Sequence, residues 1–462
     1  MENAAEEIAA LLKEKNGIVV VHHYDADGMA SAGVLGNALQ RIGKEPVFKA
    51  VKQLYSETFD EIKGLGKFYC FADFGSSYIE ELGKAFGKEF AVIDHHQPKS
   101  LEKERHLNPL LYGVDGGTEI SGSGTCYLVA KKLGANEDLA ALAIVGAVGD
   151  MQDSKGRLIG LNRLILEDGI KAGSIEAADD LRLYGRITRP LPRYLEFANN
   201  PIIPGLTADY PGSIAFLDKH GIEFKRGGEW RSYSDLELEE KKRFATALIL
   251  YMQELNMPEW KIDLLFGEVY TLSKEGAKTP LRDAKEFATL LNATGRHGQA
   301  EIGRAVCLGD RDEFYRKALA LLQEHRRKLR EGIELMQAEG TKEKESFYYF
   351  DAGDRIQDSI VGIVAGMLYG SGSISPDKPI LAFAKHEDKS VKVSARGTSQ
   401  LLRQGLNLGA ALKEACSQLG ELSEGGGHKI AAGCRIEESE LEEFLALMNE
   451  IIKKQLIHKP IR

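Results

Sequence analysis

Acidic and imidazole side chains gather at four places in the first third of the sequence. His23-Tyr24-Asp25-Ala26-Asp27-Gly28 is the first and Asp73, in FADFG, the second; Asp94-His95-His96 and Asp150, in GAVGDMQD, follow. Residues two apart on an extended segment point to one side, so His23, Asp25 and Asp27 are expected to converge. Carboxylates gathered without basic neighbours repel one another and cost stability. A divalent cation removes that cost. Carboxylates mixed with imidazoles suit manganese, with magnesium the harder alternative. Two such ions about 3.5–4 Å apart activate a water, clamp both oxygens of a phosphoryl displacement and share a bridging carboxylate. Asp73 is the candidate bridge. A single Asp after a strand is an ordinary turn former, but a whole set at successive strand ends is not.

Such a cluster needs a frame. GIVVVHHYDADG (17–28), KFYCFADFG (67–75) and EFAVIDHHQP (89–98) read as strands that each end in one of these groups. Helical periodicity follows over Met29 to Ile42, about 77–86 and about 123–134. Strand–helix alternation predicts an α/β fold with a parallel sheet covered on both faces. Ligands of such sheets bind beyond the carboxyl ends of the strands, which is where the acidic groups lie. Residues 186–343 are rich in helix formers, with a proline-containing entry, RITRPLPRY, and a long helix from about Arg311 to Gln337. Strands return in SFYYFDAG, KPILAFAKH and SVKVSARG, predicting a smaller C-terminal α/β domain. The expected division is therefore 1–185, 186–343 and 344–462.

The 462 residues are 43% hydrophobic and 28% charged, an ordinary globular balance. No apolar run approaches the roughly 18 residues that span a bilayer, and the acidic, helical start is unlike a signal peptide. A cytoplasmic protein with no membrane partner is expected. Five widely spaced cysteines without a CxxC pair read as buried reduced thiols. A net charge of −9 and a pI of about 5.8 exclude coating of nucleic acid by bulk charge. Metal ions would supply positive charge locally.

HYDADG, FADFG, IDHH and GAVGD resemble the four ordered motifs of the DHH phosphoesterases, Asp94-His95-His96 being the signature triplet. The resemblance implies that His23, Asp25, Asp27, Asp73, His95 and Asp150 ligate two divalent cations, manganese before magnesium. Asp73, His95 and His96 would be catalytic, with His96 beside the ligands or at the scissile phosphate. His22 fits no motif and reads as a packing residue. GGGHKIAAG (425–433) resembles the GGGH motif of the associated DHHA1 domain. Amides of Gly425, Gly426 and Gly427 would approach an anion, and His428 would donate to a phosphate or stack on a base. Ser394-Ala395-Arg396 resembles the SxR segment of that domain, giving Arg396 a bidentate phosphate contact. LLNATGRHG (290–298) is similar to a stretch of RecJ nucleases near the substrate path, which puts Arg296 on the nucleic-acid backbone and leaves His297 structural. In SGSGTCY (121–127) the helix-entry amides either hold a phosphate or permit close packing. EHRRKLR (324–330) is a channel lining or, more commonly for such runs, a solvated helix face. Phe287, Tyr315 and Tyr349 either stack on bases or pack in the core.

The resemblance covers almost the whole chain, with RLYGR, EFATLLNATGR and CLGD similar to archaeal RecJ-like proteins of the GINS-associated type. It implies a DHH domain, a helical middle and a DHHA1 domain, with the active site in the cleft between the first and last. The implied activity is a metal-dependent single-strand exonuclease in replication or repair, running 5′ to 3′ on DNA. Its implied partners are single-stranded DNA or RNA, and GINS. The bacterial relatives carry an additional C-terminal oligonucleotide-binding domain, and none is expected here. A phosphodiesterase for very short oligonucleotides and a replisome scaffold without turnover are the alternatives. Every motif ligand is present, which weighs against the scaffold.

Overall fold

The computed structural model describes residues 1–457 apart from 53, 55, 199, 371, 386–389 and 421–423. It divides into two compact units, Met1–Leu322 and Gln323–Arg462. In the first, β-branched and aromatic runs form β1 (Ile18–His23), β2 (Val47–Val51), β3 (Phe68–Ala72), β4 (Phe90–Ile93) and the short β5 (His106–Leu107). All pair in parallel, in the order β2-β1-β3-β4-β5. Side chains alternate across this sheet. Ile18, Val20, Phe68, Cys70, Ala91 and Ile93 face one apolar layer, while Val19, Val21, Phe71, Phe90 and Val92 face another. The first layer receives α1 (Glu2–Glu14), α2 (Ala26–Arg41), α5 (Gly122–Leu133) and α6 (Ala140–Gly149); α3 (Ser56–Ile62) and α4 (Ile79–Phe86) serve the second. Because β1 lies between β2 and β3, the winding reverses there. The crevice outside the strand ends at such a reversal is the natural ligand site of an open parallel sheet, and His23 and Asp73 sit at its lip.

After α7 (Leu161–Lys171), β6 (Ile175–Leu181) pairs antiparallel with β9 (Phe266–Leu272). Between them α8 (Leu191–Glu196), α9 (Tyr210–Lys219), the hairpin β7–β8 (Lys225–Arg226, Glu229–Trp230), α10 (Leu238–Glu254) and α11 (Glu259–Asp263) gather around Tyr194, Phe216, Tyr233 and Phe244. α12 (Ala284–Arg296) and α13 (Ala300–Cys307) then return to pack on α2 and α6. The packing thus distributes the expected 186–343 segment. Residues 186–322 belong to the first unit, because α12 and α13 bury their apolar faces in its core, and the remainder belongs to the second.

α14 (Glu313–Glu339) runs through the boundary. The second unit holds a mixed sheet in the order β10-β11-β12-β13-β15-β14. Its strands are β10 (Lys342–Glu343), β11 (Tyr348–Asp351), β12 (Ile380–Lys385), β13 (Val391–Arg396), β14 (Glu424–Gly427) and β15 (Ala431–Ile436), and only β11 and β12 pair in parallel. α15 (Asp358–Gly370) covers one face, with α16 (Ser399–Arg403), α17 (Leu408–Cys416) and α18 (Leu441–Ile457) on the other. Cys70, Cys126, Cys307, Cys416 and Cys434 are buried free thiols. No helix among the described residues is long and apolar enough to cross a membrane.

Candidate metal centre

β1 delivers His23, and the chain turns at once into α2, whose N-cap is Asp25, accepting from the Gly28 amide at 3.0 Å. The helix begins three residues before the Met29 start expected from the sequence, so extended alternation ends at His23. Asp25 stays beside His23, Nδ1 to Oδ2 2.8 Å. Asp27, in the first helical turn, points to a different group. β3 ends at Asp73, whose φ of 68° lies in the left-handed region that Asp and Asn tolerate better than other side chains. Its two oxygens lie 3.2 Å from His95 Nε2 and 3.7 Å from His23 Nδ1. β4 ends at the Asp94-His95-His96 turn. Asp150 is the C-cap of α6 rather than a strand end, and carboxylate charge is unfavourable at that negative pole of a helix.

Three sets of potential metal donors result, each with its donor atoms within 4.8 Å of one another: His23, Asp25 and Asp73; Asp27, His95 and Asp150; and Asp73, His95 and His96. Asp73 links the first to the third, and His95 links the third to the second. Asp27, Asp73 and His95 are buried. Burial, with Asp27 and Asp25 close by, holds the Asp73 carboxyl well above its usual range, and burial with Asp27 pushes Asp150 up to about 7. For Asp25, burial is outweighed by His23, which keeps that carboxyl well below its usual range. Asp73 Oδ1 and His95 Nε2 are buried facing each other and have no hydrogen-bond partner among the described residues. Hard oxygen donors, imidazole nitrogens and unrelieved negative charge in one crevice fit divalent cations.

The surrounding groups fix these side chains. The Asp94 carboxylate accepts from the amides of Ser76 (2.9 Å), His95 (2.7 Å) and His96 (3.1 Å) and from His96 Nδ1 (2.8 Å). Asp94 therefore shapes the turn and is not among the donors. Burial opposes charge on His96, but its bond to Asp94 raises it to about 9. His95 Nδ1 lies 2.7 Å from the Gly116 carbonyl, so Nε2 faces the carboxylates, the arrangement by which a second hydrogen bond sets a ligand's tautomer. Gln152 also donates to Gly116 O (2.9 Å), and Asn162 holds Gln152. Asp27 accepts from the amides of Gly122 (2.6 Å) and Ser123 (3.0 Å). The helix-entry amides of SGSGTCY are thus committed to a carboxylate of the site rather than to a phosphate. Gly116, Gln152 and Asn108, which holds the His96 carbonyl and Ser76, carried no sequence signal. Asp94→Asn leaves one acceptor oxygen where two are used, and unfolding by urea should show a loss of about 1–3 kcal/mol.

His22 is fully buried, and burial lowers its pKa to about 3, in keeping with a packing role. Arg296 ends α12, adjoining Gly295, which packs on the Tyr24 carbonyl. In the second unit Arg396, half-buried, donates to the Ala395 carbonyl at 2.8 Å. Gly425, Gly426 and Gly427 are not an open loop. They form edge strand β14, opposite Cys434, Gly433 and Ala432. A Cβ at Gly425 would lie 2.9 Å from Cys416 Sγ, and one at Gly427 2.7 Å from Ala432 Cα, so those two glycines admit close packing. His428 is exposed. Phe287 is buried in the first core and cannot stack on a base; Tyr315 and Tyr349 pack partly against cores. In EHRRKLR, Arg327 pairs with Glu324 and Glu331, as on a solvated helix face.

Residues 17–147 match the DHH family N-terminal domain, 183–266 the DHH-CID domain and 345–454 the DHHA1 domain. An uncharacterized protein of Methanocaldococcus jannaschii is 31% identical over 465 residues, covering 98% of both chains. The chain belongs to the DHH/DHHA1 phosphoesterase family. The fold of this DHH phosphoesterase is shared by CDC45 from Entamoeba histolytica, with a TM-score of 0.65, 15% identity and coverage of 98% of this chain and 99% of the other. It is shared too by exonuclease RecJ bound to manganese, with a TM-score of 0.59, 17% identity and coverage of 99% and 97%.

Proposed function

We propose that this DHH/DHHA1 protein holds two divalent cations, manganese before magnesium, and hydrolyses phosphodiester bonds of single-stranded nucleic acid from one end, 5′ to 3′ on DNA, releasing nucleotides. The observation that carries the reading is Asp73, with one oxygen toward His23 and the other toward His95. His23, Asp25 and Asp73 would hold one cation; Asp27, Asp73, His95 and Asp150 would hold the other. Bound there, the cations supply an activated water and charge stabilisation for phosphoryl displacement. His96, tied through Nδ1 to Asp94 and 54% exposed, leaves Nε2 to donate to a phosphate oxygen. Arg296 is assigned the strand backbone, and Arg396, Gly425, Gly426, Gly427 and His428 are assigned further substrate contacts. The manganese of the RecJ relative and the full-length likeness to it support this reading.

The test is a manganese-dependent digest of single-stranded DNA and RNA labelled at either end. Nucleotides released from the 5′ end of DNA are expected. Turnover confined to oligonucleotides of a few residues would replace this reading with the short-substrate one, and cleavage of nothing would favour a scaffold. We further propose GINS as a protein partner. A pull-down with purified GINS should recover a complex, and none at micromolar concentration would end that assignment.

A further inference from the structure

α12 passes the metal centre with one open side. Of its thirteen residues only Lys285, Thr289, Asn292 and Arg296 escape burial, and their spacing of four, three and four places them on one stripe of a helix. The helix is fixed against the centre along its length. A Cβ on Gly149, the neighbour of Asp150, would lie 3.5 Å from the Ala288 Cβ; Asn292 Oδ1 accepts from the Ala26 amide at 3.0 Å; and Gly295 meets the Tyr24 carbonyl. The open stripe therefore flanks the donor groups from Asp150 to His23.

Its chemistry is that of a phosphate rail. Lys285 and Arg296 stand about 16 Å apart at 1.5 Å per residue, far enough to meet different phosphates of one strand. Asn292 spends its oxygen on Ala26, which leaves its amide nitrogen as donor. Thr289 gives its hydroxyl to the Lys285 carbonyl and contributes a low, polar step. Lys285 also lines a cleft with Arg182, Arg186, Asp153 and Asp283. The three acids that line it are already claimed, Asp153 by Arg182, Asp283 by Arg186 and Glu268 by Arg163. Lys285 forms no ion pair among the described residues.

We propose that this face of α12 is a rail for single-stranded nucleic acid, on which Lys285 binds a phosphate beyond the one at the metal centre. The proposal rests on the single-strand reading above. It makes α12 a contributor to the affinity for the strand.

The experiment is the salt dependence of binding of a single-stranded oligonucleotide of about 12 nucleotides, within the range of single-strand sites, with calcium in place of manganese. Each phosphate contact contributes about 0.7 to the slope of log affinity against log salt for single strands. Lys285→Gln should reduce the slope by that amount, and Lys285→Arg, which keeps the charge, should restore it. Equal slopes for wild type and Lys285→Gln would overturn the rail while leaving the exonuclease reading intact. Wild-type protein that binds no such strand, yet turns over dinucleotides, would overturn that reading and the rail with it.

Discussion

Asp73→Asn is expected to lower kcat by at least about 10³-fold, because one substitution weakens both proposed metal positions at once. Asparagine is the informative replacement. It tolerates the left-handed backbone at this position, with φ of 68°, whereas alanine there adds about 1–2 kcal/mol of strain. It also removes one of the charges that Asp25, Asp27 and Asp150 repel. In chelator the variant should melt no lower than wild type, and the stabilisation that manganese gives wild type should vanish. A fully active Asp73→Asn protein would sink the shared-bridge assignment. Loss of activity together with a collapsed melting temperature would show that Asp73 serves folding instead.

Gly122→Ala should be among the most damaging single methyl groups in the first unit. Its Cβ would overlap Asp73 Oδ1 and lie 2.8 Å from the Asp73 Cβ, while the Gly122 amide must remain on Asp27. One backbone atom group cannot move without disturbing both proposed metal positions. Overpacking of this kind costs about 1–3 kcal/mol, and displacement of groups that orient ligands costs about 10–100-fold in metal affinity or activity. Thermal melting with and without manganese, beside kcat, separates the two effects. Gly124→Ala on the same helix, whose added Cβ would meet the Ile120 and Ile165 side chains, is the comparison. An equal loss of manganese response there would refute the Asp73 clash as the cause.

The parallel sheet and the order of its parts were legible because strand runs and helical runs alternate cleanly, and because acids at strand ends carry a chemical cost that points to a function. The clustering of His23, Asp25, Asp27, Asp73, His95 and Asp150 followed from that cost, but the geometry behind it did not. Extended alternation was expected to gather Asp25 and Asp27 on one side. The N-cap preference of Asp25 instead starts α2 early and sends the two carboxylates to different donor sets. The SGSG amides looked like an anion cradle, and nothing local in sequence reveals that Asp27, ninety-five residues earlier, is the anion they hold. Glycines at 425–427 carry two meanings, backbone access and tight packing, and only the partner strand and α17 tell them apart. The groups that orient His95, a carbonyl of Gly116 and the side chain of Gln152, leave no mark in composition or period, since any residue offers a carbonyl.

The Asn292 bond to the Ala26 amide joins positions 266 residues apart, and this separation bears on synthesis. At ribosomal rates of 5–20 residues per second, roughly 10–50 s pass between the emergence of the first acidic motif and that of α12. Until then Ala26, Tyr24 and Gly149 lack the helix that packs on them. The nascent chain thus carries its complete acidic cluster through the whole stretch from Asp150 to α12 without the wall that flanks it, and competence arrives late, close to when the second unit begins to be made. A DHH phosphoesterase built in this order is incomplete while it is still tethered to its own messenger.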